Sequence, residues 1–382
     1  MVEKLSLQDK QDLIDLIDLV FSQAHCPHNF KELIPKLYGE SVNTMPYHYA
    51  VRENGKLMAA VLRYPISFQI GDNILKTAGI GSVCSHMLAR QKGYMKEIMN
   101  AIDEDFKHQE FDLAWLGGQR QRYQYFGFER CVGQYRVFLN DINLRHAKGR
   151  DYQPEYTFMA FAECSTDWID KAYQIHNRQE IHALRAREDF EMILRTWQQQ
   201  PFIILKEDQI VGYLTSDAQK TKIGECVLLD NRIFAEVLFS FLKTYELKQL
   251  EITIGILETE KIKQMVAVCE KYQKEFRHNF RILHFEKVLQ VCLTWKAQHM
   301  VLPDGAIVIG IEDEILQITL TNNQVSVTLS QQSPQIVLTR LQAHLFFFGL
   351  SAPQELFLQA AEYPFLNSWL PLDLKFSEQD AV

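Results

Sequence analysis

Between Gly79 and Phe106 an apolar run, Gly79-Ile-Gly-Ser-Val-Cys-Ser85, passes through a polar turn, Arg90-Gln-Lys-Gly93, into a segment that places Met95, Ile98, Met99, Ile102 and Phe106 on one helical face. Strand, glycine-bearing turn and amphipathic helix in that order constrain the fold, because the helix must cover the sheet to which the strand belongs. The turn also has a chemical consequence. Glycine admits a ligand close to the backbone, and a helix N-terminus adds inward-pointing N–H groups and partial positive charge, which together suit a pyrophosphate. Arg-x-x-Gly alone occurs by chance in many chains. Its place between a strand and a helix favours an anion site over the alternative of an ordinary strand-to-helix turn.

Around this segment the pattern is α+β, a mixed α/β fold. Residues 11–22 put Leu13, Ile14, Ile17, Val20 and Phe21 on one helical face, and Asn54-Gly55 divides two apolar runs as a hairpin turn. Residues 70–85 read as two further strands, and the amphipathic segment as a helix from about Gly93 to His108. A degenerate second copy follows. Asn29 to Ile34 resembles Asp189 to Leu194, and the Glu53 to Ala59 hairpin resembles Glu207 to Gly212, continuing through Glu225 to Leu229 into a helix near residues 233–245. Nothing there repeats the Arg90 to Met95 turn, so the second copy is expected to lack a phosphate site. From about Phe285 the pattern changes to period-two alternation in Ile307, Ile309, Ile311, Leu316, Ile318, Leu320, Val325, Val327 and Leu329, with Asn322-Asn323 as a turn and residues 336–350 as a covering helix. At 382 residues, and with about 100–200 residues per domain, three domains are expected: 1–150, 151–284 and 285–382.

Composition narrows the partners. A net charge of −8 and a pI near 5.9 leave no basic stripe for nucleic acid and favour a cationic small molecule. No apolar stretch approaches the roughly 20 residues of a membrane span, and Met1 to Lys10 reads as no secretory leader, so a cytoplasmic protein is expected. The seven cysteines form no Cys-x-x-Cys pair, and His25-Cys26-Pro27-His28 lacks a second ligand cluster, so no metal is expected.

Arg90-x-x-Gly93-x-Met95 resembles the Arg/Gln-x-x-Gly-x-Gly/Ala acetyl-CoA loop of GNAT acyltransferases, with Met95 where the family usually has a small residue. Leu116 to Glu129, which contains Tyr123-Gln-Tyr-Phe-Gly-Phe128, resembles the Tyr-x-x-Phe-Gly-Tyr/Phe region of Eis-type (enhanced intracellular survival) N-acetyltransferases. The resemblance is specific over residues 79–129 and architectural beyond about residue 150. It implies tandem GNAT domains, the second degenerate, followed by a sterol-carrier-protein-like helix-and-sheet domain, and a homo-oligomer. It also implies an acetyl-CoA-dependent N-acetyltransferase acting on small-molecule or peptidyl amines such as aminoglycosides, polyamines or lysine-like groups.

The same resemblance distributes the roles. Val83, Cys84 and Ser85 would pair with pantetheine, while Arg90, Gln91, Gly93, Met95 and Lys96 would hold the pyrophosphate, with Lys92 as an alternative cation to Arg90. Tyr123 would be the general acid, with Tyr125 the competing phenol and simple aromatic packing the other reading. The carboxylate of Val382 would be the general base, against a tail that frays. His86 reads as a proton relay or a hydrogen-bonding scaffold, Cys84 as a packing thiol, and Trp115 and Trp168 as pocket walls or core. The competing function is a non-catalytic protein that senses acyl-CoA or binds a lipid.

Overall fold

The computed structural model describes residues 1–24 and 26–382; of the His25 to His28 cluster, His25 lies outside the described residues. The chain is a mixed α/β protein. Its first half contributes β1 (Val2–Lys4), β2 (His48–Glu53), β3 (Lys56–Ile70), β4 (Asn73–Ser85), β5 (Leu113–Leu116) and β6 (Glu129–Asn140). Then follow β7 (Thr157–Ala160), β8 (Ile181–Ala183), β9 (Gln200–Lys206), β10 (Gln209–Ser216), β11 (Lys222–Leu228), β12 (Gln249–Gly255) and β13 (Lys271–Ile282). All belong to one sheet, in the order β1-β2-β3-β4-β5-β13-β6-β12-β11-β10-β9-β7, with β8 added beside β3.

The order contains the same arrangement twice. Four antiparallel strands, β1 to β4, lead to a parallel pair with β5; likewise β7, β9, β10 and β11 lead to a parallel pair with β12. Each half is then completed by a strand from the other. β13 pairs with β5, β6 pairs with β12, and β6 and β13 pair with each other at the centre. The exchange covers two strand edges that would otherwise be open to other chains, and it carries the sheet without a break past residue 150.

The local reasons match the sequence pattern at several points. The 15-residue helix Lys10–Ala24 buries Leu13, Ile14 and Ile17, and Asn54 and Gly55 both take positive φ, 50° and 80°, as a type I′ hairpin requires. Glu207 and Asp208 do the same in the second half, at 48° and 60°. Residues 70–85 are not two strands. β3 runs on to Ile70, the chain turns at Gly71 (φ 54°), and β4 is a single 13-residue strand.

The last part opens with the helix Phe285–His299, followed by β14 (Gly305–Ile311), β15 (Glu314–Thr321), β16 (Gln324–Leu329) and β17 (Ile336–Leu338), a sheet ordered β16-β15-β14-β17. Residues 336–350 are therefore not all helix. Ile336 to Leu338 pairs parallel with β14, and the helix Arg340–Phe348 begins after it, capped by Thr339. One apolar cluster joins Phe68, Trp115 and Phe280 to Phe285, Phe347 and Trp369, so the last part shares its core with the first.

Candidate active site

β4 is paired on both sides only in its first half. Thr77 to Ile80 lie beside Leu113 to Leu116 of β5, after which β5 leaves through Gly117 and Gly118 while β4 continues against β3 through Cys84 and Ser85. A wedge opens between the strands, and Val83, Cys84 and Ser85 border it with main-chain groups that β5 does not engage. The parting coincides with a bulge: the register slips between Ala60 and Leu62, and Ser82 takes φ 48°. Sequence reading did not find what holds the bulge. Ser82 Oγ is 2.5 Å from Tyr38 Oη, which is 3.1 Å from His48 Nε2, and His48 Nδ1 meets the Thr44 carbonyl at 3.0 Å. Burial lowers His48 to about 4, so the ring is neutral at pH 7. Burial also pushes the Cys84 thiol up to about 12, which leaves it unreactive.

Beyond the wedge, His86 accepts the Leu88 N–H and thereby acts as a scaffold for the turn. Gln91 and Gly93 have φ of 69° and 82°, and the helix Tyr94–His108 starts immediately, with Gly93 as its N-cap. A Cβ at Gly93 would meet nothing within 4 Å. The turn is therefore an open cradle facing the first, unpaired N–H groups of the helix. Arg90, Gln91, Gly93 and Lys96 are exposed around it. Met95 turns into the core beside Ile98 and Ile102, which keeps its side chain from filling the cradle. Lys92 is engaged by Glu53 at 2.8 Å, and Lys96 lies 5.0 Å over the Tyr125 ring.

Tyr123, on the short helix Arg120–Gln124, is buried, with its ring against Gly118. Its carbonyl accepts from both Phe126 N and Phe128 N. Although burial opposes it, Arg120 and Gln124 hold the Glu129 carboxylate below its usual range, and those contacts fasten the short helix to β6. Burial raises the Tyr123 phenol, so it keeps its proton at neutral pH. Tyr125 is 65% exposed at the rim. Trp115 and Trp168 pack in apolar clusters.

The segment that ends at Val382 is packed against the sheet. Leu372, Leu374 and Phe376 are buried, with the Phe376 ring centroid 3.8 Å from Phe68 and 5.2 Å from Trp115. The segment then reaches β4, where a Cβ on Gly81 would come within 2.5 Å of the Val382 carboxyl carbon, and one on Gly79 within 2.7 Å of Val382 Cγ2. Ala78 and Ile80, which alternate with these glycines, face the Tyr94–His108 helix and share a cluster with Tyr123. Val382 and Tyr123 therefore approach β4 from opposite faces.

Residues 1–144, which hold the wedge, the cradle and Tyr123, match the acetyltransferase (GNAT) domain family. They form an acetyltransferase domain of the GNAT type. The fold of the whole chain is also that of solved relatives. A probable N-acyltransferase from Enterococcus faecalis V583 superposes with a TM-score of 0.71 at 15% identity, with 99% of each chain covered. A GCN5-related N-acetyltransferase from Kribbella flavida gives 0.71 at 12% identity over 100% of both chains. Eis1 from Mycobacterium abscessus gives 0.65 at 12% identity, covering 100% of this chain and 99% of its own. No curated protein matches the sequence.

The GNAT wedge has a counterpart in the second half that is closed. β11 and β12 pair only at Lys222 and Ile223 before parting, but the Lys261 ammonium enters the gap, donates to the Cys226 carbonyl at 3.1 Å and pairs with Glu258 at 2.8 Å. The helix Phe234–Thr244 that follows β11 has Ile233, not a glycine, at its N-cap, and in the turn before it the Asp230 carboxylate accepts the Arg232 N–H, where it disfavours an anion.

Proposed function

We propose that the protein is an acetyl-CoA-dependent N-acetyltransferase in which an amine attacks the thioester directly. The observation that carries this reading is the wedge between β4 and β5, opening at Ile80 and Leu116 with the Gly93 cradle at its mouth. Bound acetyl-CoA supplies the activated acetyl group. The main chain of Val83, Cys84 and Ser85 pairs with the pantetheine amides, and the N–H groups around Gln91, Gly93, Met95 and Lys96, with Arg90, which has no ion-pair partner among the described residues, take the pyrophosphate. Tyr123 protonates the departing thiolate from one face of β4, and the Val382 carboxylate removes the amine proton from the other.

The acceptor is a cationic small-molecule or peptidyl amine of the polyamine, lysine-like or aminoglycoside kind. A cavity of about 360 Å³ supports this; it is lined by Tyr64, Ile66, Asp189, Arg185 and Asp380, and Ile66 also faces Gly79 beside Val382. Asp189 has no ion-pair partner among the described residues, so its half-buried carboxylate is available to an ammonium group. The doubled strand order supports a second, degenerate GNAT unit within residues 151–284. The helix-and-sheet layer after Phe285 supports a sterol-carrier-protein-like unit within 285–382, the Eis-type plan that goes with a cytoplasmic homo-oligomer.

Release of free thiol from acetyl-CoA, followed with a panel of polyamines, lysyl peptides and aminoglycosides, tests the proposal. Turnover with a cationic amine, and a several-fold rise in its KM in Asp189→Asn with the acetyl-CoA KM unchanged, is the expected result. Background rates with every amine would refute it.

A further inference from the structure

The tail that delivers Val382 is fixed by the second half of the sheet. Arg185 Nε and Nη2 donate to Asp380 Oδ1 and Oδ2, both at 2.9 Å, while Nη1 and Nη2 donate to Glu225 Oε1 and Oε2 at 3.0 and 2.7 Å. All three side chains are almost completely buried. The Ser377 hydroxyl also donates to Glu225, and Lys36 to the Gln379 carbonyl. Trp197 Nε1 donates to the Glu378 carbonyl at 3.0 Å. Buried charges of this kind do little for stability compared with apolar packing, but they select one register, since a slipped tail would leave an ion unpaired.

The place of attachment is informative. Glu225 follows Gly224 at a register slip in β11, as Ser82 follows Gly81 at the slip in β4. Gly224 is crowded by the tail in the same way, since a Cβ there would come within 2.7 Å of Gln379 Nε2. One bulge holds the tail and the other receives its end. Val382 lies two residues beyond Asp380, a reach of at most about 7 Å, so any movement of the Asp380 anchor passes directly to the Val382 carboxyl group.

We infer that Arg185 is a positioning residue for acetyl transfer: by clamping Asp380 onto Glu225 it sets the Val382 carboxyl group against Gly81. The inference rests on the base role proposed for Val382. It gives the second half of the sheet, whose own wedge is closed by Lys261, a function in the first half's chemistry.

The test is a double-mutant cycle on the full-length protein with Asp380→Asn, deletion of Val382, and both together, read as kcat and KM from thiol release. Backbone amide exchange of Ala381 reports tail docking alongside. Asp380→Asn keeps the side chain's shape and leaves Arg185 paired with Glu225; Ser377→Ala is the second variant should it fold poorly. The expected result is a loss of at least tenfold in kcat, an acetyl-CoA KM within twofold of wild type and faster Ala381 exchange. The double variant should be no slower than the deletion alone. Multiplicative losses, or a freely exchanging tail with unchanged kcat, would overturn the positioning role while leaving the base intact. A deletion without effect on kcat would instead remove the base and the positioning role together.

Discussion

Gly81 has room for a hydrogen and little else. A methyl group there meets the carboxyl carbon of Val382 at 2.5 Å, whereas at Gly79 it meets side-chain atoms only, Val382 Cγ2 at 2.7 Å and Ile66 Cδ1 and Trp115 Nε1 at 3.4 and 3.5 Å. Gly81→Ala is therefore expected to lower kcat by about one to two orders of magnitude, the scale of losing a placed acid or base, with Gly79→Ala much milder and both leaving the acetyl-CoA KM near wild type in a thiol-release assay. Gly93 differs, because its surroundings are empty and its constraint is φ 82°. An alanine there costs about 1–2 kcal/mol in a left-handed conformation, and the expected outcome is a several-fold higher acetyl-CoA KM with kcat preserved. Tyr123→Phe should show the opposite split, with kcat down about 100-fold or more and cofactor KM unchanged. The sequence did not mark the glycine pair in β4 as a close backbone approach, because what approaches it, Val382, is 301 positions beyond Gly81 in the chain.

Among the segments, those whose burial follows their own periodicity were read from the sequence close to their bounds. The Lys10–Ala24 and Tyr94–His108 helices and the Asn54-Gly55 turn are of this kind, since one face or one dihedral preference decides each. β6 and β13 were not legible, because their places depend on pairing with each other across the 130 residues between Asn140 and Lys271. The tail is another such segment. It is polar at its end, but Phe376 inserts among Phe68, Trp115 and Phe280. Phe376→Ala should destabilise the protein by about 3–5 kcal/mol in urea denaturation and reduce activity through the tail it anchors.

For the chain as a unit, three buried histidines, His48, His176 and His344, are each lowered by burial to about 4. Between the unfolded value of about 6.5 and the folded value, the unfolded chain binds a proton that the folded chain does not. Their contribution is thus complete above pH 6.5 and is lost as pH falls toward 4, at about 1 kcal/mol per pH unit for each. Asp373, raised to about 7 by burial, acts in the opposite direction over the whole of this range. The diagnostic quantity is therefore the difference between wild type and His48→Gln. The slope of unfolding free energy between pH 6.5 and 4 should flatten by about 1 kcal/mol per pH unit in the variant, and an unchanged slope would mean that His48 titrates normally.

The strand, the turn, the Gly93 helix start and Tyr123 could be found in the sequence because the proposed cofactor wedge is built from residues 79–129, within which local pattern and local geometry coincide. The β6–β13 exchange, the Lys261 plug, the Ser82–Tyr38–His48 contacts and the Arg185 clamp on the tail emerged only in the folded chain. Each joins residues whose neighbours in sequence say nothing about their partners, and each is stabilised by burial and pairing that exist only after the sheet has closed around them.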